Sequence, residues 1–234
     1  MKLSKRMLMN ISLINGSNLP LGEIGVADIG CDHGFVAIYL VENKLVSHAI
    51  AMDVAMGPLS SAKENIKERG LESLIETRLS DGAGALEICE DGSLETDVIL
   101  IAGMGGRLTL KLLEDSIEKC LLAKYIVIQP QSELELVRKR VYELGFVIDN
   151  EDMVLDDGKY YTAIGLIPRN REAEDKNGKN GKASHLTDII EHLTDNKKRM
   201  SIAEYKYGAV LLEKKHPVLK DFLEYKRKEF EKIY

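Results

Sequence analysis

Short apolar runs alternate with amphipathic helical patterns along most of the chain from residue 25 onward. The runs are rich in Val, Ile and Leu and have the length of buried strands. They are GVADIG, HAIAMD, LIETRLS, DVILIAG and KYIVIQP. Because a helical pattern separates most of these strands from the next, the sequence predicts a parallel sheet with helices on its faces.

The pattern changes after Gly145. The sequence FVIDNEDMVLDDGKYYTAIGLI contains two extended segments around Asp157-Gly158, a dipeptide that favours a hairpin turn. A parallel sheet that ends in an antiparallel hairpin is typical of the methyltransferase branch of the nucleotide-binding-like folds. We therefore predict an α/β fold, a Rossmann-like class I methyltransferase sheet with a terminal antiparallel hairpin.

Two helices have recognisable start signals. Ser4 is placed to cap an amphipathic helix at the start of the chain, with Leu8 and Ile14 on its apolar side. Ser132 and Glu135 have the spacing of a capping box, and apolar residues follow them at helical spacing. The sequence therefore predicts a helix directly after the fifth apolar run.

The C-terminal part of the chain differs in composition and charge. Residues 1–169, predicted as one domain, hold 17 basic and 26 acidic residues, whereas residues 170–234 hold 15 and 12. Residues 170–183 lack apolar periodicity and are rich in Lys, Asn and Gly, so they are predicted to be a flexible linker. Helix-like stripes in residues 184–234 predict a helical C-terminal extension.

The overall composition limits the class of protein. Hydrophobic residues make up 44% of the chain and charged residues 30%, and no apolar run approaches a membrane span. The three cysteines are far apart and lack metal-type spacing, so we expect neither a disulfide framework nor a metal site, and a reducing, cytoplasmic location. A net charge of −6 gives no global attraction to nucleic acid, so such a partner requires a local basic patch.

Candidate binding loops follow each of the five predicted parallel strands. They contain DIGCDHG, AMDVA, SDGAG, IAGMGG and QPQS. Since parallel α/β sheets bind ligands at the carboxyl ends of their strands, all five loops are expected to open on one edge.

The first loop does not match the dinucleotide fingerprint G-x-G-x-x-G, because Asp32 stands two positions after Gly30. An aspartate beside a pyrophosphate is a contact between like charges. S-adenosylmethionine lacks phosphate and carries a sulfonium and an ammonium, so Asp28 and Asp32 suit this cofactor. A glycine turn with solvent-facing acids is the alternative interpretation.

The other loops add candidate contacts. Asp53 stands 23 residues after Gly30, where a carboxylate can accept both ribose hydroxyls, although loop solvation also explains it. The glycines of IAGMGG allow the backbone to approach a ligand closely. The alternative interpretation is a tight turn that serves packing only. The Gln129 amide can hydrogen-bond a base edge or lie at the surface, and His33 can contact the acceptor or cap the following helix.

Six segments together resemble the TrmK family of bacterial tRNA adenine-N1 methyltransferases that modify position 22. They are KLSKR, ADIGCDH, DGAGAL, IAGMGG, QPQ and DDGKYYTA, and the resemblance covers residues 2 to about 168. It implies an S-adenosylmethionine-binding domain and a coiled-coil-like helical extension that helps to hold tRNA. The tail departs from the family pattern, because YGAVLL lacks the proline of YGPxLL.

The resemblance and the loops together define candidate residues for each role. The cofactor-binding candidates are Asp28, Gly30, Asp32, His33, Gly34, Asp53, Val54, Asp81, Gly82, Ala102, Gly103 and Met104. The catalytic candidates are Met104, His33 and Gln129. The candidate tRNA contacts are Lys5, Arg6, Arg107, Lys197, Lys198 and Arg199, for which solvated helix faces are the alternative.

The hypothesised reaction is in-line attack of adenine N1 on the sulfonium methyl. N1 is a neutral nucleophile that needs no strong base, so catalysis would come from positioning and water exclusion. Because N1 lies on the Watson–Crick edge, the base must leave its pair, with Met104 or Tyr160 as a wedge. Two other hypotheses are a small-molecule methyltransferase, and a non-catalytic adapter with a helical interaction tail.

Overall fold

The computed structural model describes residues 3–169 and 200–232. The strands are β1 (Gly25–Ile29), β2 (His48–Asp53), β3 (Ile75–Leu79), β4 (Val98–Met104), β5 (Tyr125–Pro130), β6 (Phe146–Asp156) and β7 (Lys159–Pro168). The helices of the first described range are α1 (Lys5–Asn15), α2 (Phe35–Glu42), α3 (Met56–Glu68), α4 (Gly106–Asp115), α5 (Ile117–Leu122) and α6 (Leu134–Glu143). Those of the second are α7 (Ile202–Tyr207), α8 (Ala209–Glu213) and α9 (Pro217–Glu231).

The seven strands form one sheet in the order β3-β2-β1-β4-β5-β7-β6. Strands β1 to β5 are parallel, and β7 runs antiparallel to both β5 and β6. Asp157 and Gly158 join β6 to β7 with positive φ values of 47° and 73°. The predicted fold class is therefore confirmed, including the terminal hairpin, and the crossover order puts the carboxyl ends of β1 and β4 side by side.

Helices cover both faces of the sheet because neighbouring strand residues point to opposite sides. Val26 and Leu100 belong to the apolar core under α1, α2 and α3, whereas Ala27 and Ile99 belong to the core under α4, α5 and α6. The central strand β1 is buried along its whole length. The two cores cover both faces of the sheet, so a ligand has to bind at an end of the strands.

Helix α1 begins where the sequence predicts, and it buries most of the predicted apolar side, although not Leu8. The Ser4 hydroxyl accepts a hydrogen bond from Met7 N at 3.3 Å, which confirms the cap. The prediction for Leu8 is wrong, since this side chain is 41% exposed, while Asn10 is almost completely buried. Ile14 is buried as predicted, and so are Ile11 and its neighbour Asn10, with Leu8 left at the margin.

The capping box predicted for α6 is also wrong. Its N-cap is Glu133, which makes no side-chain capping bond. The Ser132 hydroxyl instead accepts a hydrogen bond from Gly106 N at 3.0 Å, at the start of α4. A donor 26 residues away in sequence thus competes with the local cap, and the bond ties the loop after β5 to the loop after β4.

The described part of the C-terminal extension packs against β6, the edge strand of the sheet, and against α6. A small apolar core joins Met153 of β6 to Leu211 and Leu219 of the extension. His216 Nε2 also lies 3.0 Å from an Asp152 carboxylate oxygen. Helix α9 lies in the last part of residues 184–234, where the apolar pattern predicts a helix. The predicted linker and residues 184–199 lie outside the described residues. No helix in the described ranges is long and apolar enough to cross a membrane.

Candidate active site

A cavity of about 360 Å³ opens at the carboxyl edge of the sheet, between α1 and the loops that follow β1 and β4. Its lining includes ten predicted site residues: Arg6, Asp28, Gly30, Asp32, His33, Asp53, Ala102, Gly103, Met104 and Gln129. Asn10, Cys31 and Phe35 complete much of the wall. The structure thus brings residues from four strand ends and from α1 into one cavity.

The loop after β1 is held in a tight, positive-φ conformation. Gly30, Asp32 and Gly34 have φ values of 73°, 51° and 71°. The backbone N–H groups of Gly30 and Cys31 both donate to the Met52 carbonyl, at 2.8 and 3.0 Å. Since these two amides donate to β2, they are not available to bind a phosphate as in dinucleotide-binding loops. The presence of Asp32 in the loop agrees with this, because its charge would repel a phosphate.

The end of β4 contains a bulge beside the same loop. Ala102 pairs with Gln129 and Met104 pairs with Pro130, so Gly103, with a φ of 82°, is the extra residue between them. Bulges of this kind redirect side chains beside active sites. Here the Met104 methyl is turned toward Gly30, so closely that a Cβ at that position would collide with Met104 Cε. The positive φ at position 30 favours glycine, and any larger residue there would also have to displace the Met104 methyl.

Asp28 is a buried carboxyl in the cavity, and its pKa is strongly perturbed. It is 4% exposed, and this burial raises the pKa of its carboxyl to about 7. A hydrogen bond from the Ala37 backbone N–H acts in the opposite direction, and the nearby Asp53 charge raises the pKa further. A buried carboxyl that ionises near neutral pH favours a cationic ligand, because such a ligand stabilises its charged form.

Three polar side chains of the cavity are buried without complete hydrogen bonding. Asn10 Oδ1, Asp28 Oδ2 and both amide atoms of Gln129 have no partner among the described residues. Buried polar atoms are normally paired, so three unsatisfied groups in one cavity indicate that a ligand completes them. Sequence reasoning missed Asn10, because a polar residue within an amphipathic helix has no periodicity signal that points to a cavity.

Arg6 lies in the cavity wall, although the sequence suggested it as a tRNA contact. Its guanidinium lies 5.3 Å from the ring centroid of Tyr161, within cation–π range. Its backbone N–H donates to Asp156 at 3.1 Å and so fixes the first turn of α1 against the hairpin. Arg6 therefore places a positive charge inside the cavity, near Gly103.

His33 stands at the cavity mouth and does not cap α2. The N-cap of α2 is Gly34, and no side chain makes a capping bond there, so that interpretation of His33 is wrong. Its ring stacks on Phe35 with centroids 5.3 Å apart, and its Nε2 lies 3.6 Å from Asp32. His33 is half exposed and can contact an incoming acceptor.

Several predicted residues do not line this cavity. Gly34 instead packs against Ala62 and Gly82 against Leu112, at positions where a Cβ would be crowded. Val54, Asp81, Lys5 and Arg107 are exposed, and Arg107 forms an ion pair with Glu133. Tyr160, suggested as a wedge, does not line the cavity either, and its ring packs on Phe222 of the extension. Lys197, Lys198 and Arg199 lie outside the described residues.

Asp81 is nevertheless close to the cavity in the fold. Ser80 N donates to the Asp53 carbonyl at 2.9 Å, so the turn that carries Asp81 starts beside Asp53. This turn is at the outer, β3 end of the same edge. Within residues 3–169 and 200–232, no group of His, Cys, Asp and Glu side chains is arranged to hold a metal ion.

The sheet order and the cavity define a methyltransferase of the Rossmann-like class. A family model described as a methyltransferase domain matches residues 3–164. The chain is 35% identical over 173 residues to the tRNA (adenine(22)-N(1))-methyltransferase of Bacillus subtilis, which is 74% of this chain and 68% of that protein. It belongs to the tRNA (adenine(22)-N(1))-methyltransferase family.

Two solved structures are similar over almost the whole chain. Sp1610 of Streptococcus pneumoniae, in complex with S-adenosyl-L-methionine, has a TM-score of 0.76 and 25% identity, covering 98% of this chain and 90% of that one. The Bacillus subtilis m1A22 tRNA methyltransferase TrmK has a TM-score of 0.70 and 27% identity, with coverages of 99% and 87%. The similarity therefore extends beyond the methyltransferase domain into the described extension.

Proposed function

We propose that this protein transfers a methyl group from S-adenosyl-L-methionine to N1 of the adenine at position 22 of tRNA. The observation that carries the proposal is the cluster of unsatisfied polar atoms between the first loop and the bulge in β4. In a chain of this family, that cluster is where donor and acceptor must meet. Since the acceptor is tRNA, the protein works in the cytoplasm.

The cavity suits the donor in charge and in shape. Asp28 Oδ2 and Asn10 Oδ1 are buried acceptors for the ammonium group, and Arg6 can pair with the carboxylate at the same end. Asp53 uses one carboxylate oxygen to accept from Ala55 N at 2.9 Å, and its carboxylate faces the cavity where the ribose would lie. The adenine would extend past Asp53 toward Val54, Asp81 and Gly82. When bound, S-adenosyl-L-methionine supplies a methyl group on positively charged sulfur.

The protein's own contribution to the reaction is positioning. Adenine N1 attacks with a neutral lone pair, so no side chain has to remove a proton before the attack. The loop of Ala102, Gly103 and Met104 supplies backbone and a thioether beside the reacting atoms, and Met104 limits the access of water. Orientation by a rigid loop is sufficient for a large rate gain when both reactants are bound in line.

The tRNA must approach the open edge of the sheet with position 22 unpaired, because N1 is blocked in a Watson–Crick pair. Lys5 is exposed in the first turn of α1 and Arg107 at the start of α4, and both are proposed phosphate contacts. Residues 184–234, as a helical extension that follows a linker at 170–183, would hold more of the tRNA, with Lys197, Lys198 and Arg199 as proposed contacts. Such contacts predict a steep fall in tRNA affinity with rising salt concentration.

The function can be tested by incubating the protein with unmodified tRNA transcripts and S-adenosyl-L-methionine labelled in its methyl group. Nucleoside analysis should show the label as N1-methyladenosine, and a transcript with guanine at position 22 should remain unlabelled. Label in another nucleoside, or in both transcripts, would refute the proposed position. Asp53→Ala should weaken cofactor binding, whereas Asp91→Ala, on an exposed loop, should leave it unchanged.

A further inference from the structure

The cavity divides into two chemically different halves along the sheet edge. Asp53 and Asp28 lie at the ends of β2 and β1, whereas Gln129 lies at the end of β5, on the far side of the β4 bulge. The carboxylates suit the cationic donor. The other half must receive the acceptor, because the two reactants meet across the bulge that holds Met104.

Gln129 is the polar side chain of this second half. It is completely buried, and both its Oε1 and its Nε2 lack a partner among the described residues. A buried donor and a buried acceptor without partners are unfavourable in the folded protein, and a ligand that pairs with both removes this cost. The ligand must present one donor and one acceptor next to each other.

Adenine has such a pair of groups on its Hoogsteen edge. N6–H is a donor and N7 is an acceptor, and a glutamine amide binds both in a bidentate manner. This pairing leaves N1 free, whereas a contact to the Watson–Crick edge would cover the atom that is methylated. Guanine presents two acceptors, O6 and N7, at the same place, so it cannot satisfy the acceptor Oε1.

We propose that the Gln129 amide reads the Hoogsteen edge of the acceptor adenine, with Oε1 accepting from N6–H and Nε2 donating to N7, and so selects adenine while presenting N1 for methylation. The proposal rests on the proposed function, since it concerns the acceptor of that reaction. It makes Gln129 a specificity residue that touches the substrate base. No proton transfer by Gln129 is involved.

The test uses tRNA assembled by ligation with adenine or 7-deazaadenine at position 22. 7-Deazaadenine keeps N1 and N6 and lacks only the N7 acceptor, and its N1 is no less basic. For the wild-type protein, kcat/KM should fall about tenfold or more with 7-deazaadenine, the loss expected for one arm of a bidentate contact. Equal rates with the two tRNAs would overturn the proposal without any change to the protein.

Gln129→Leu provides the second arm of the test. The variant should methylate the adenine tRNA at least tenfold more slowly, and 7-deazaadenine should cause no further loss, because the contact to N7 is already gone. Its affinity for S-adenosyl-L-methionine, measured by calorimetry, should equal that of the wild type. Weaker cofactor binding with retained discrimination against 7-deazaadenine would assign Gln129 to the cofactor and refute the proposal.

Asp91→Ala, on an exposed loop that does not line the cavity, is the control. It should keep both the rate and the discrimination of the wild type. If the wild-type protein fails to methylate unmodified tRNA at position 22, the proposed function fails and this inference with it. If it methylates adenine and 7-deazaadenine alike, only the inference fails.

Discussion

Arg138 and Glu151 form an ion pair of 2.7 Å whose side chains are 1% and 0% exposed. Other polar atoms of the two side chains form hydrogen bonds with the C-terminal extension. Arg138 donates to the carbonyls of Tyr205 and Lys206 at the end of α7, and Glu151 accepts from Val210 N at the start of α8. One buried pair therefore fastens α6, β6 and the C-terminal extension to one another.

Removing one partner of this pair should destabilise the protein strongly. In Arg138→Leu, Glu151 is left as an uncompensated buried charge, so the free energy of unfolding should fall by about 3–5 kcal/mol. Urea denaturation followed by circular dichroism measures this change. Arg140→Leu is the control, because its ion pair with Glu114 is largely exposed and should contribute less than about 1 kcal/mol. Similar losses in both variants would contradict the special role of the buried pair.

Asp28 should make the stability of the ligand-free protein depend on pH. Burial, together with the Asp53 charge, raises its pKa from an ordinary value of 3.8 to about 7, so between these values the folded protein binds more protons than the unfolded chain. Its free energy of unfolding should therefore fall as the pH rises through this interval and level off above it. Asp28→Asn should be more stable than the wild type by a few kcal/mol above pH 7 and by little near pH 4. A pH-independent difference in urea denaturation would rule this out.

The same carboxyl should couple cofactor binding to proton release. The ammonium group of the cofactor favours the ionised form of Asp28, so affinity should rise between pH 5.5 and 7.5, across the pKa of about 7. Calorimetric titrations at pH 7 in two buffers of different ionisation enthalpy should report the release of a fraction of a proton. Asp28→Asn should bind the cofactor more weakly and without that release. Proton release that persists in the variant would have to come from another group.

Asn10→Leu should weaken cofactor binding without loss of stability. Asn10 Oδ1 has no partner among the described residues, so its removal costs no hydrogen bond in the ligand-free protein. If Oδ1 accepts from the ammonium group, the dissociation constant should rise about tenfold, as for one hydrogen bond to a charged group. Leu8→Ala, on the exposed side of the same helix, should leave the constant unchanged. An unchanged constant in Asn10→Leu would remove Asn10 from the donor site.

Ala209→Pro should be tolerated and slightly stabilising. Ala209 is the first residue of α8, a position that suits proline. Gly208 before it has a ψ of 122°, which suits a residue before proline, together with a φ of 94° that glycine adopts without strain. Proline should raise the free energy of unfolding by about 0.4–1 kcal/mol by restricting the unfolded chain. Lys214→Pro, at the end of the same helix, should destabilise it. A loss of stability in Ala209→Pro would show that Ala209 uses its backbone N–H or a different φ.

The sequence predicts the sheet well because its signals are local. Apolar runs, helical stripes and the Asp157-Gly158 turn follow from periodicity and turn chemistry alone, and the order of the strand ends brings the loop residues together. Arg138, in contrast, looks like a solvated residue of an amphipathic helix, since its partners come from segments that are distant in sequence. Ser132 does not cap α6 for the same reason. Its hydrogen-bond donor, Gly106 N, is 26 residues away in sequence, and a rule based on neighbouring residues cannot predict it.

The position of β6 affects any shortened form of this protein. A chain that stops after β7 would lose the helices that pack on β6, and Met153 and the Arg138–Glu151 pair would lose their covering. The result would be an exposed sheet edge beside an apolar patch, which favours pairing between molecules and aggregation. If such a truncated chain is inactive, the loss of activity reflects its aggregation and does not show that the extension binds tRNA.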